Sequence, residues 1–216
     1  MPASPGTFSG NPQAEWLVAS GNATDPANRC MQLLADFWYD DPAGRRWLAP
    51  KGSVVNGASI PAALWSALGS PYTGAYRRAS VVHDVACAAA AASPDPRAAR
   101  RAADFMFYHA CRAGGCPVFE AEWLFAGVRI GAWVPQVGLW ATGGAAQPLT
   151  ARARTQPAVA DESVLTTFRE IAADLAARKS PWPLAKLDAL VEQHLAAKAT
   201  QVAGPLASPA ARRRRQ

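Results

Sequence analysis

The stretch Ser93-Pro94-Asp95-Pro96 constrains the fold more than any other. Two prolines around an aspartate cannot continue a helix, yet Asp95 suits an N-cap and Pro96 the first helical position. Alanine-rich segments of helical composition lie on both sides, about 74–92 before the turn and 96–112 after it. If the two helices fold back at that turn, His83 and Asp104, which are equidistant from it, come level. At 1.5 Å per residue each lies roughly 15 Å along its own helix. The spacing therefore predicts an imidazole facing a carboxylate across an antiparallel helix pair, an arrangement that can orient a histidine base.

Plainer readings of the same residues stand beside that one. A histidine inside a helix is often a core residue satisfied by a neighbour. Asp104 also has Arg100 and Arg101 close in sequence as partners on a solvent face. Asn56-Gly57 is, most simply, a turn. Trp65, Trp123 and Trp133 read as core residues before they read as interfacial anchors.

The segment "CMQLLADFWYDDPAGRRWLAP" predicts two aromatic-rich strands around the turn Asp41-Pro42-Ala43-Gly44. "VFEAEWLFAGVRIGAWV" predicts a third helix, following the punctuation of Gly114, Gly115 and Pro117. Val164, Leu165, Phe168, Ile171 and Leu175 recur with helical period, as do Leu184, Leu187, Leu190, Val191 and Leu195. The expected fold class is α+β, mostly α. A small N-terminal β-hairpin or sheet packs on a helical core with an antiparallel helix pair, and a C-terminal helical hairpin follows. The expected organisation is a flexible lead-in over 1–28, a main domain over 29–141, and a linker over 142–160. A helical hairpin over 161–199, dispensable for folding of the main domain, and a basic disordered tail over 200–216 complete it.

Charge says little about a partner. The chain of 216 residues carries a formal net charge of +6, and four of the positive charges are the consecutive run Arg212–Arg215. Nucleic acid is an expected partner only through that tail. The N-terminus lacks a charged n-region and an apolar h-region, and no run of 18 apolar residues occurs, so no secretory signal or transmembrane segment is expected. The chain reads as cytoplasmic when made, with virion association or export by a signal-independent route as the further options. Cys30, Cys87, Cys111 and Cys116 form no C-x-x-C pair, which gives a zinc site no support and makes reduced thiols the expectation. Along antiparallel helices Cys87 and Cys111 are offset by roughly 16 Å, too far for a bridge.

"KGSVVNGASIPAALW", "YRRASVVHDVAC" and "RRAADFMFYHA", in that order, resemble domain-of-unknown-function family 1353 of bacteria and phages. The resemblance covers about residues 30–135 and implies no settled activity. A fainter resemblance is to the small prokaryotic phospholipase A₂ enzymes. It implies that His83 is the general base, Asp104 the acid that orients it, and Asp84 a calcium ligand. Asn56 and Gly57 then stand in the calcium loop. Asn56 replaces the usual aspartate, Cys87 replaces a tyrosine, and the cysteines of the phospholipase framework are absent.

Two function classes follow. One is a calcium-assisted lipid ester hydrolase, a phage or secretion-system effector acting at a lipid or membrane surface. The other is a non-catalytic phage structural, assembly or interaction protein that docks a protein partner through 161–199. A single firm carboxylate in the calcium shell implies weak calcium binding.

Overall fold

The computed structural model describes residues 4–17, 30–69, 72–133 and 159–203. Six short strands come first: β1 (Thr7–Phe8), β2 (Ala14–Trp16), β3 (Met31–Leu33), β4 (Phe37–Asp40), β5 (Arg46–Ala49) and β6 (Val54–Val55). They form two antiparallel sheets of three strands, ordered β1-β4-β5 and β2-β3-β6. A 3₁₀ turn, Ala62–Leu64, runs into the one-turn helix α1 (Trp65–Leu68). Then follow α2 (Arg77–Ala91), α3 (Pro96–Gly114), α4 (Val118–Trp133), α5 (Val159–Ala177) and α6 (Leu184–Ala203). The fold is α+β and mostly helical.

The β4–β5 hairpin shows the period of two that a half-buried sheet requires. Phe37, Tyr39, Trp47 and Ala49 face the core, while Leu48 and Arg46 face outward. Its turn is built by Asp41, whose Oδ1 accepts from the N–H groups of Ala43 and Arg45, both at 2.9 Å. The first part of the lead-in is not free chain. Phe8 stacks on Phe37 at 5.7 Å, and the Tyr39 hydroxyl donates to the Pro5 carbonyl. Backbone pairing to the sheet holds β1 and β2, and composition carries no signal for that. Residues 1–3 and 18–28 of the lead-in lie outside the described residues.

The turn behaves as its residues dictate. Asp95 Oδ1 accepts from the Ala98 N–H at 2.9 Å, and Pro96 opens α3. At the other end Gly115 sits at φ +102°, and the Cys116 N–H donates to the Cys111 carbonyl at 3.0 Å, a left-handed helix stop. α4 is buried on nearly every side from Ala121 to Gly131, as a central helix must be. A methyl added at Gly131 would stand 2.1 Å from the Ser59 carbonyl oxygen. The backbone of residue 59 therefore rides directly on α4, and that contact pins the loop from β6 to the 3₁₀ turn.

α5 and α6 pack on α4 and share its core. Trp123 and Phe168 meet edge to face at 6.4 Å, and Ile171, Leu187 and Val191 are buried. Arg178, just past α5, pairs with the fully buried Glu122 of α4. The hairpin is thus a layer of the same core, with α6 running to Ala203. Most of the expected linker and tail, 142–158 and 204–216, lies outside the described residues. Among the described residues no helix is long and apolar enough to cross a membrane.

Candidate functional site

α2 and α3 place His83 Nε2 2.8 Å from Asp104 Oδ1, with neither side chain exposed to solvent. The antiparallel pairing across the Ser93–Pro96 turn gives that contact directly. Asp104 is gripped further. Arg100, one helical turn earlier, donates from Nε to Oδ1 at 3.1 Å, and Arg129 of α4 donates from Nη1 to Oδ2 at 3.2 Å. Burial alone would raise the Asp104 carboxyl. The Arg100 charge, the His83 contact and Arg129 outweigh it and hold Asp104 below the usual carboxylate range.

For His83, burial is the largest influence and lowers it. Asp104 pulls the other way, and the Arg100 charge adds to the lowering. The pair is therefore a neutral imidazole beside an ionised carboxylate. A carboxylate only accepts, so Nε2 carries the proton and donates to Asp104, leaving the lone pair on Nδ1. Cys87 lies one turn along α2, with Sγ 3.7 Å from Nδ1 and 3.4 Å from Nε2. Burial pushes its thiol far above the ordinary range, so it is an S–H donor and not a thiolate. Phe107 closes the opposite side, its ring 4.6 Å from the imidazole.

Asp84 points elsewhere, as the 100° turn between consecutive helical residues requires. Its Oδ2 accepts from the Asn56 N–H at 2.6 Å, tying α2 to the loop after β6. Ser59 of the same loop hydrogen-bonds with the Cys87 thiol. Gly57 lies in that loop at φ +99° and is buried. His83, Asp84, Asp104, Asn56 and Gly57 thus come together, with Asp84 facing the loop and Asp104 facing the imidazole.

Among the described residues, one cluster brings several potential ligand atoms together. His83, Cys87 and Asp104 bring ligand atoms within 4.8 Å of one another. That set suits a metal poorly, because two guanidinium groups already occupy the carboxylate and the thiol holds its proton. Asp84 stands against the loop of Asn56 and Gly57, where the Asn56 N–H occupies its Oδ2. A carboxylate is a hard oxygen ligand of the kind calcium takes, but it brings one negative charge.

Arg129, Asp188 and Glu192 were missed in the sequence. Arg129 Nε faces Asp188 Oδ1 at 3.3 Å, and its Nη2 pairs with Glu192, so α6 reaches Asp104 through one guanidinium. A signal existed, since Arg129 is the lone cation in the apolar run "WLFAGVRIGAWV" and such a charge must find partners when buried. Cys87 also had one, its i+4 spacing from His83.

Residues 31–128 match the family described as a protein of unknown function, DUF1353, and over that stretch the chain is similar to it. The matched region contains His83, Asp84, Asp104 and the Asn56 loop. The chain is 38% identical over 122 residues to the uncharacterized protein y4jT of Sinorhizobium fredii (strain NBRC 101917 / NGR234), covering 56% of this chain and 32% of that protein. It is 46% identical over 55 residues to the uncharacterized protein y4iH of the same strain, covering 26% of this chain and 23% of that protein. The chain therefore spans about a third or less of these relatives' own length. No solved structure matches.

The neutral state of the imidazole makes an acid sensitivity measurable. His83 lies below its unfolded value of 6.5, so the unfolded chain takes up this proton first as pH falls. Its contribution is complete above about 6.5 and declines below it. Asp104 is also lowered, but its loss begins only below its unfolded value of 3.8. The urea midpoint is expected to fall from about pH 7.5 to about pH 5.5, and to fall less in His83→Gln. His109, lowered mainly by burial, keeps its own share in that variant. An identical decline in both proteins would show that His83 does not titrate in this window.

Proposed function

We propose that the α2–α3 site is that of a lipid ester hydrolase of the phospholipase A₂ kind, with His83 as general base and Asp104 as the residue that orients it. The supporting observation is the 2.8 Å contact between His83 Nε2 and an Asp104 held ionised by Arg100 and Arg129. That contact leaves the Nδ1 lone pair for a water proton, and the ionised carboxylate stabilises the imidazolium that results. Calcium held by Asp84, Asn56 and Gly57 would polarise the ester carbonyl. Catalysis also requires the 56–60 loop to lift, because the imidazole has no exposed surface and the Cys87 thiol lies against Nδ1.

The same burial favours a second reading. A His–Asp pair with no exposure, clamped by two arginines, is what a structural keystone looks like, and a non-catalytic assembly or interaction protein would keep it for stability. Phosphatidylcholine vesicles with calcium or chelator separate the two readings. Calcium-dependent fatty acid release supports the hydrolase; a folded chain that releases none, with or without calcium, supports the keystone.

Calcium binding is expected to be weak, with dissociation constants near 10⁻⁴–10⁻³ M for a site of such low charge. Asn56→Asp adds a negative charge to the loop and is expected to tighten binding by roughly tenfold. Asp84→Asn is expected to abolish it. Calorimetric titration that finds no calcium binding in the native chain and none in Asn56→Asp removes the metal from the proposal.

A further inference from the structure

A cavity of about 690 Å³ opens where the N-terminus of α3 meets the C-terminal end of α4 and the middle of α6. Arg97, Arg100, Arg101 and Arg129 line it, against the carboxylates of Asp95 and Glu192. Behind the wall, Asp104 and Asp188 are 0% and 1% exposed. The four positive and four negative groups cancel, so an outside anion can enter only by displacing a carboxylate. Asp104 and Asp188 are sealed in the core and hold two arginines each. Asp95 is committed to the Ala98 N–H as the cap of α3. Glu192 is different. Its side chain is 39% exposed and its recorded partner is Arg129 Nη2.

With Glu192 swung out, the cluster carries one net positive charge, and the N-terminus of α3 adds about half a charge more. Arg97 is exposed and, among the described residues, has no carboxylate partner. Arg129 is only 8% exposed, and its Nη2, which pairs with Glu192, is the group left without that carboxylate when Glu192 leaves. Planar guanidinium forks match phosphate oxygens in the same bidentate geometry as a carboxylate, and a phosphate brings more charge and more acceptor oxygens. A phosphomonoester, at about −1.5 to −2, matches the charge exposed when Glu192 leaves.

We propose that Arg97, Arg101 and Arg129 form a binding site for a phosphomonoester group, with the Glu192 carboxylate as its built-in occupant. This site does not depend on ester hydrolysis or on calcium. It lies on the far side of Asp104 from His83, and Arg129 is shared between the anion site and the His83–Asp104 pair.

Titration of the full chain with glycerol 3-phosphate, read by calorimetry in chelator, tests the proposal. The wild type is expected to bind saturably, Glu192→Gln about tenfold more tightly, and Arg97→Gln about tenfold more weakly. Both residues are at least partly exposed and outside the core, so both variants are expected to keep the wild-type unfolding midpoint. Phosphatidic acid vesicles form the second arm. Co-sedimentation lost in Arg97→Gln assigns the phosphate to a lipid headgroup, whereas binding of the soluble ester alone assigns it to a small metabolite. No saturable binding of either probe in wild type and Glu192→Gln overturns the site. Binding that neither substitution changes overturns it equally, because the anion then sits elsewhere on the chain.

Discussion

Arg129→Met is expected to lower the unfolding midpoint by roughly 10 °C, corresponding to about 3–5 kcal/mol for breaking a buried ion pair. Methionine keeps most of the length of the side chain and its apolar packing, so little of the loss comes from volume. The loss comes from what remains behind. Asp104 and Asp188, at 0% and 1% exposure, each lose a guanidinium, and the Glu192 carboxylate loses its partner. Arg129→Lys keeps the charge but cannot reach three carboxylates at once, and is expected to fall between the two. Asp104 keeps Arg100, and Asp188 keeps Arg101, which is why the fold is expected to survive at all. Differential scanning calorimetry decides the matter. A midpoint within about 2 °C of wild type would mean that the carboxylates have found other partners or protons.

The second large effect belongs to the proposed chemistry. His83→Gln is expected to reduce phospholipid hydrolysis by about 10²–10⁴-fold, the usual contribution of a positioned base. Glutamine can still donate to Asp104 Oδ1 from its amide, so the ion cluster behind stays satisfied. It cannot take a proton near neutral pH. Loss of activity with an unchanged calcium affinity therefore isolates the base from the metal. Asp104→Asn is the less informative partner, since it leaves Arg100 and Arg129 facing a neutral amide and costs stability as well as orientation. Hydrolysis that persists in His83→Gln at the wild-type rate would place the reaction away from this pair.

Local signals served well wherever the chain's own punctuation decides the outcome. The Asp95 cap, Pro96 and Gly115 delimit α3, and a turn at Asp41–Gly44 joins β4 to β5. Those elements follow from side-chain chemistry within a few residues. His83 and Asp104 were legible for the same reason, because one turn and a constant helical rise relate them. β1 and β2 were not, since two- and three-residue strands are held by a neighbouring strand and leave no periodicity of their own. The α6 contribution to the site was hidden by distance. Asp188 and Glu192 look like the polar face of an amphipathic helix until Arg129 is placed beside them, and no sequence pattern relates positions so far apart. The hairpin's share in the core was obscured in the same way, because an apolar stripe says that a helix is covered without saying by what.

The ion cluster also bears on the order in which the protein is made. α2, α3 and α4 leave the ribosome before α6, and domains fold as their segments become available. Until Asp188 and Glu192 arrive, Arg129 has Asp104 as its only acidic partner among the described residues, and Arg101 has none there. A nascent chain at that stage would hold surplus positive charge over apolar α4 surface awaiting α5 and α6. Completion of α6 removes the charge and covers the surface in one step.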